Sequence, residues 1–94
     1  MVYGGTTTAN GAGAFTATID VERTEEPCEV RSTLAARNCD ISVNNRLILR
    51  GVGLAPSMPV PLPPGSPGGE FTVTGSTQAS APITVNVYTR TQDC

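Results

Sequence analysis

The chain has 94 residues, 15% of them charged, and a net charge of −2, which is the size of one small domain. It contains no histidine, lysine or tryptophan, and its six basic groups are all arginines. It therefore lacks the usual titrating base near neutrality, the Schiff-base amine and the imidazole metal ligand.

Residues 1–14 are mostly Gly, Thr, Ala and Asn, with Tyr3 as their one large side chain, and this composition predicts an extended N-terminal arm reaching toward a neighbour. Residues 15–22 alternate, with Phe15, Ala17, Ile19 and Val21 on one face and Thr16, Thr18, Asp20 and Glu22 on the other, as a half-buried strand does. A charged turn follows and ends at Pro27, which cannot continue a ladder. Residues 28–38 read as a short strand and then a turn, with one helical turn capped by Ser32 as the alternative.

Residues 39–51 are the densest apolar segment and the best hairpin signal. A three-residue connection at Asn44, Asn45 and Arg46 sets Val43 opposite Leu47 and Ile41 opposite Leu49 on the core face. Asp40 then faces Arg50 on the outer face, in an ion pair worth about 0.2–1 kcal/mol. A two-residue loop would mix apolar with polar partners, so the longer loop is expected.

Residues 52–69 form a long loop rich in Pro and Gly, whose prolines exclude helix and interior strand. It is expected to cross between two sheets with Met58, Val60 and Leu62 along a rim, or to serve as an interaction loop. Pro56 with Pro59, and Pro61 with Pro64, also fit the PxxP spacing read by aromatic grooves, a match that any proline-rich loop offers. Residues 70–75 and 83–90 are two further strands. Phe71, Val73, Ile83, Val85 and Val87 point inward, and Tyr88 points outward.

Five to six short strands and no long helix predict an all-β fold, a small antiparallel β-sandwich of the Ig-like or jelly-roll-like kind. Its single domain spans residues 15–94 behind the arm. The core is thin, because Leu, Ile, Val and Phe together number 20 of 94 residues, and such a chain usually draws on a disulfide, a metal or a partner. Three cysteines are present. Cys28 and Cys39 are close enough in sequence to close a short loop, with two separate reduced thiols as the alternative. Cys94, beyond a polar run, is free on this reading to cross-link to another chain or to stay an idle thiol.

No catalytic set, metal site or cofactor motif is visible. A nucleophilic cysteine has no histidine beside it, and the carboxylates of Glu25, Glu26 and Glu29 read as a solvated turn. The arginines are scattered without stacking aromatics, so no nucleic-acid face is expected. No apolar run approaches the ~18–20 residues that span a bilayer. No secretory signal is visible at the start.

The expected function is therefore that of a non-enzymatic structural subunit that decorates, cements or tiles a larger particle, a virion capsid or tail above all. It would be virion-borne or extracellular, and its partners would be copies of itself or other structural proteins. Tyr3, Met58, Val60, Leu62 and Tyr88 are the expected contact residues, together with a cross-link at Cys94. The alternative is an adhesin-like or carbohydrate-binding β-sandwich module, for which only Tyr88 and Tyr3 offer rings outside the core.

Overall fold

The computed structural model describes residues 2–90 and 94. It contains eight strands: β1 (Tyr3–Thr8), β2 (Ala14–Val21), β3 (Pro27–Ser32), β4 (Ala36–Val43), β5 (Arg46–Leu54), β6 (Val60–Pro61), β7 (Gly69–Ser76) and β8 (Pro82–Thr89). Four antiparallel pairs nest inside one another: β4 with β5, β3 with β6, β2 with β7, and β1 with β8. The chain is thus one long hairpin bent at Asn44 and Asn45. Further pairing of β3 with β8 and of β4 with β7 rolls that ribbon into two four-stranded sheets, ordered β1-β8-β3-β6 and β2-β7-β4-β5. This is an eight-stranded jelly roll, the second of the two expected sandwich types.

The alternating strands pack as their patterns require. Phe15, Ala17, Ile19 and Val21 of β2, Phe71 and Val73 of β7, and Ile83, Val85 and Val87 of β8 are all buried between the sheets. Each large side chain so buried stabilises the fold by roughly 1.5–3 kcal/mol relative to exposure. Val30 of β3 and Ile41 and Val43 of β4 complete the layer.

Three expectations change. The N-terminal segment is extended but is not a free arm, because Tyr3–Thr8 pairs with β8 from Val87 to Pro82 as an edge strand. A hydroxyl contact of 2.8 Å between Thr6 and Thr84 adds to the ladder. The ladder needs no apolar side chain, and glycine is required for a packing reason. At Gly5 an added Cβ would collide with the Thr18 carbonyl of β2. The glycine lets β1 lie against β2, so the two sheets meet backbone to backbone along that side.

The central hairpin turns in two residues rather than three. Asn44 and Asn45 both take left-handed angles (φ 51° and 65°), and Val43 pairs with Arg46 and Ser42 with Leu47. Two adjacent left-handed residues make the turn whose twist matches the strands. The apolar register is recovered by a bulge, since Ile48 has no opposite number and Ile41 still faces Leu49. Leu47 is left on the outer face, 48% exposed. The Asp40 carboxylate does not pair with Arg50. It accepts a 2.9 Å hydrogen bond from the Gly51 N–H, where a second bulge bends β5. A third bulge, at Asn38 (φ 54°), lies in β4, which begins at Ala36, earlier than residue 39.

The Pro/Gly-rich segment crosses between the sheets, as expected, but it is not one open loop. Its first residues finish β5, Ala55 and Met58 form a tight turn, and Val60 and Pro61 pair with β3 as β6. The ladder runs on through the Leu62 N–H, which donates to the Cys28 carbonyl at 2.8 Å.

Candidate interaction surface

The two sides of the sandwich differ. Where β1 meets β2 the sheets approach backbone to backbone, whereas at the opposite edges β6 is only two residues long and β5 is exposed or half-buried along its length up to the buried Leu54. Incompletely covered apolar residues collect on that open side: Leu49 and Val52 of β5 and Val60 of β6 are half-buried against the core, while Leu47 is exposed on the outer face of β5. Met58, in the turn joining β5 to β6, is 68% exposed. Arg46 and Arg50 are exposed on β5, and among the described residues neither forms an ion pair.

The backbone of β5 is an edge, yet it is not an open template for strand addition. Two bulges and two arginines are the devices by which edge strands resist indiscriminate pairing. Contacts here are therefore expected through side chains, an apolar seam flanked by positive charge.

The expected contact residues separate accordingly. Met58 and Val60 lie on this side. Leu62 is buried in the core, because its strand position continues the inward face of β6, so it is not available to a partner. Tyr3 is half-buried against the core, at the end of the sandwich that also carries the chain termini. Its phenol pKa is raised by loss of solvent and by the carboxylates of Glu25 and Glu22, with a hydrogen bond to the Glu22 backbone acting the other way. Tyr88 does face outward, but Arg31 lies over its ring, 4.1 Å from the centroid, and is itself held at 2.6 Å by Glu29. That ring face is already covered. Of the two PxxP spacings, Pro56 with Pro59 bends into the Ala55–Met58 bridge, and Pro61 is paired with β3 as part of β6 while Pro64 lies in a turn, so neither offers a continuous free extended ligand.

The cysteines pair differently from expectation. Cys28 is joined to Cys94 within the chain, with Cα atoms 6.2 Å apart, and Cys39 is free and buried. The 33–35 connection sends β3 and β4 into different sheets, so nearness in sequence does not bring Cys28 to Cys39. Cys94 is likewise used internally and does not serve as the expected intermolecular cross-link. The polar run at residues 91–93 lies outside the described residues.

At the end of the sandwich away from the termini, a cleft of about 350 Å³ opens between residues 34–37 and 76–78. Its lining combines the apolar Leu34 and Ala36 with Arg37, Ser76, Thr77 and Gln78, and the Thr77 hydroxyl is already engaged with the Ala35 carbonyl at 2.8 Å. Among the described residues no helix is long and apolar enough to cross a membrane, and no three His, Cys, Asp or Glu residues cluster as metal ligands.

Nothing in the sequence marked the open side as such, because it arises from which strands end up at the sheet edges. The exposed Leu47 was legible only to a reading that put the two asparagines, not three residues, in the turn. Comparison of the chain with protein-family models, curated proteins and solved structures finds no match.

Proposed function

We propose that this protein is a non-enzymatic structural subunit that decorates, cements or tiles a larger particle, with a virion capsid or tail as its setting, and that it attaches through the open β5–β6 side. The observation that carries this reading is the asymmetry of the sandwich. One side is closed by the approach of backbones at Gly5, while the other leaves Leu49, Val52, Met58 and Val60 incompletely covered, with Leu47 exposed on the outer face of β5 and two arginines that form no ion pair among the described residues. A core with so few large side chains gains stability when a neighbour covers that seam. The jelly-roll order lends support by analogy alone, since viral shell proteins use it, and so do lectins. The carbohydrate-binding alternative is disfavoured by the Tyr88 ring, which a sugar would reach only by displacing Arg31.

The test is fractionation of particles from the native source on a density gradient, probed for this chain, with wild type and a Leu47→Asp/Met58→Asp variant. Wild type in the particle band and the variant in the light fractions is the expected result. Wild type wholly in the light fractions, with binding on a glycan array, would replace this reading with the binding module.

A further inference from the structure

We infer that the cleft at the end of the sandwich away from the termini is a binding site for a small organic carboxylate with a short apolar body. Its walls are residues 34–37 on one side and 76–78 on the other, and they bound about 350 Å³, within the ~300–1,000 Å³ of small-molecule sites. Arg37 of β4 and Ser76 of β7 stand directly opposite each other in the ladder, and both line the cleft. Among the described residues the Arg37 guanidinium forms no ion pair, and the Ser76 hydroxyl takes part in no hydrogen bond. Leu34, half-buried, and Ala36, buried, supply an apolar wall, and the exposed Gln78 amide adds a donor and an acceptor.

Charge selects the ligand. The connections that close this end, residues 9–13, 33–35 and 77–81, contain no carboxylate. Asp40, the carboxylate nearest to Arg37 in sequence, already accepts a 2.9 Å hydrogen bond from the Gly51 N–H. An arginine fork without a carboxylate of its own chain pairs best with one from a ligand, through two parallel charge-assisted hydrogen bonds. Phosphate or sulfate would also fit the fork, but would gain nothing from the apolar wall of Leu34 and Ala36. The cleft is set before a ligand arrives. The Thr77 hydroxyl joins the two walls by donating to the Ala35 carbonyl at 2.8 Å, the Thr77 N–H donates to the Gly13 carbonyl at 2.8 Å, and the Thr33 N–H to the Thr84 carbonyl at 3.0 Å. Little ordering is left to oppose binding. None of the lining residues belongs to the β5–β6 seam, so the site stands or falls independently of the attachment reading.

Backbone amide NMR of the isotope-labelled chain tests this, with N-acetyl-L-leucine as the probe and N-acetyl-L-leucinamide as its uncharged counterpart at equal concentration. The acid is expected to shift the resonances of residues 34–37 and 76–78 saturably, with a dissociation constant of about 1 mM, as suits so small a ligand. The amide is expected to bind about tenfold or more weakly, and Arg37→Gln, with an otherwise unchanged spectrum, to lose the advantage of the acid. Arg50→Gln, on β5, should bind the acid as wild type does. No saturable shift at that end of the sandwich, or equal binding of acid and amide by wild type, would overturn the inference, and this comparison needs no variant to fold. A longer acetylated peptide ending in leucine is expected to bind no more tightly than the probe. A much tighter fit would overturn the small-molecule assignment and give the cleft to the C-terminus of a protein.

Discussion

The Cys39 side chain is buried on β4, with its sulfur 3.6 Å from the Arg37 carbonyl. Its neighbour on β7 is glycine for a steric reason: a Cβ at Gly75 would stand 2.6 Å from that sulfur. Burial, with a smaller contribution from Asp40, pushes the thiol from its ordinary 9.0 up to about 11. The folded chain therefore holds this proton more tightly than the unfolded chain does. Its stabilising contribution is intact below pH 9 and is lost as the pH rises toward 11, because the unfolded thiol ionises first. Urea midpoints at pH 7.5 and 10.5 should fall further for wild type than for Cys39→Ala. Equal falls would remove Cys39 as the cause. The sequence could present Cys39 only as one of three cysteines, because its isolation depends on β3 and β4 entering different sheets, which no local spacing encodes.

At the level of elements, the β4–β5 turn does more than reverse the chain. The Asn44 side chain accepts a hydrogen bond from the Glu70 N–H at 3.1 Å and donates to the Gly68 carbonyl at 3.3 Å, tying the hairpin to the start of β7. Asn45 takes the same left-handed conformation and, among the described residues, makes no side-chain hydrogen bond of this kind. Asn44→Ala is therefore expected to cost about 1–2 kcal/mol, from lost hydrogen bonds and left-handed strain together. Asn45→Gly, which keeps the turn geometry, should be neutral or gain up to ~1 kcal/mol. Urea unfolding of the two variants separates these outcomes, and equal losses would show that turn conformation alone matters. The strands β2, β7 and β8 were legible because alternation marks a half-buried surface directly. β1 was not, because an edge strand whose inner face must admit another backbone contains glycine and threonine where a periodic apolar signal would otherwise stand. The hairpin was legible in place and in its Ile41–Leu49 pairing. Its loop length was misread because apolar matching was weighed above turn chemistry, and the bulge at Ile48 satisfies both.

For the molecule as a whole, the nesting of strands makes contacts between distant parts of the chain the rule, with Tyr3 paired to Val87 in the outermost ladder. Such topologies meet a large loop-closure cost before contacts accumulate. The Cys28–Cys94 bond acts on that cost, because it spans 66 residues and joins the start of β3 to the chain's last residue. In the chain-entropy picture a closure of this size stabilises the fold by about 4 kcal/mol, a large share of the ~5–15 kcal/mol typical of a domain. Cys94→Ser, and reduction of the wild type, should both lower the unfolding free energy by up to that amount. The two losses should agree, because each releases the same constraint from the unfolded chain. On denaturing gels without reductant the wild type should run as a single chain, slightly faster than its reduced form. A reductant-sensitive dimer band would instead return Cys94 to an intermolecular role. An unchanged urea midpoint on reduction would mean that the thin core, with the seam left open at β5 and β6, holds the jelly roll without the tether.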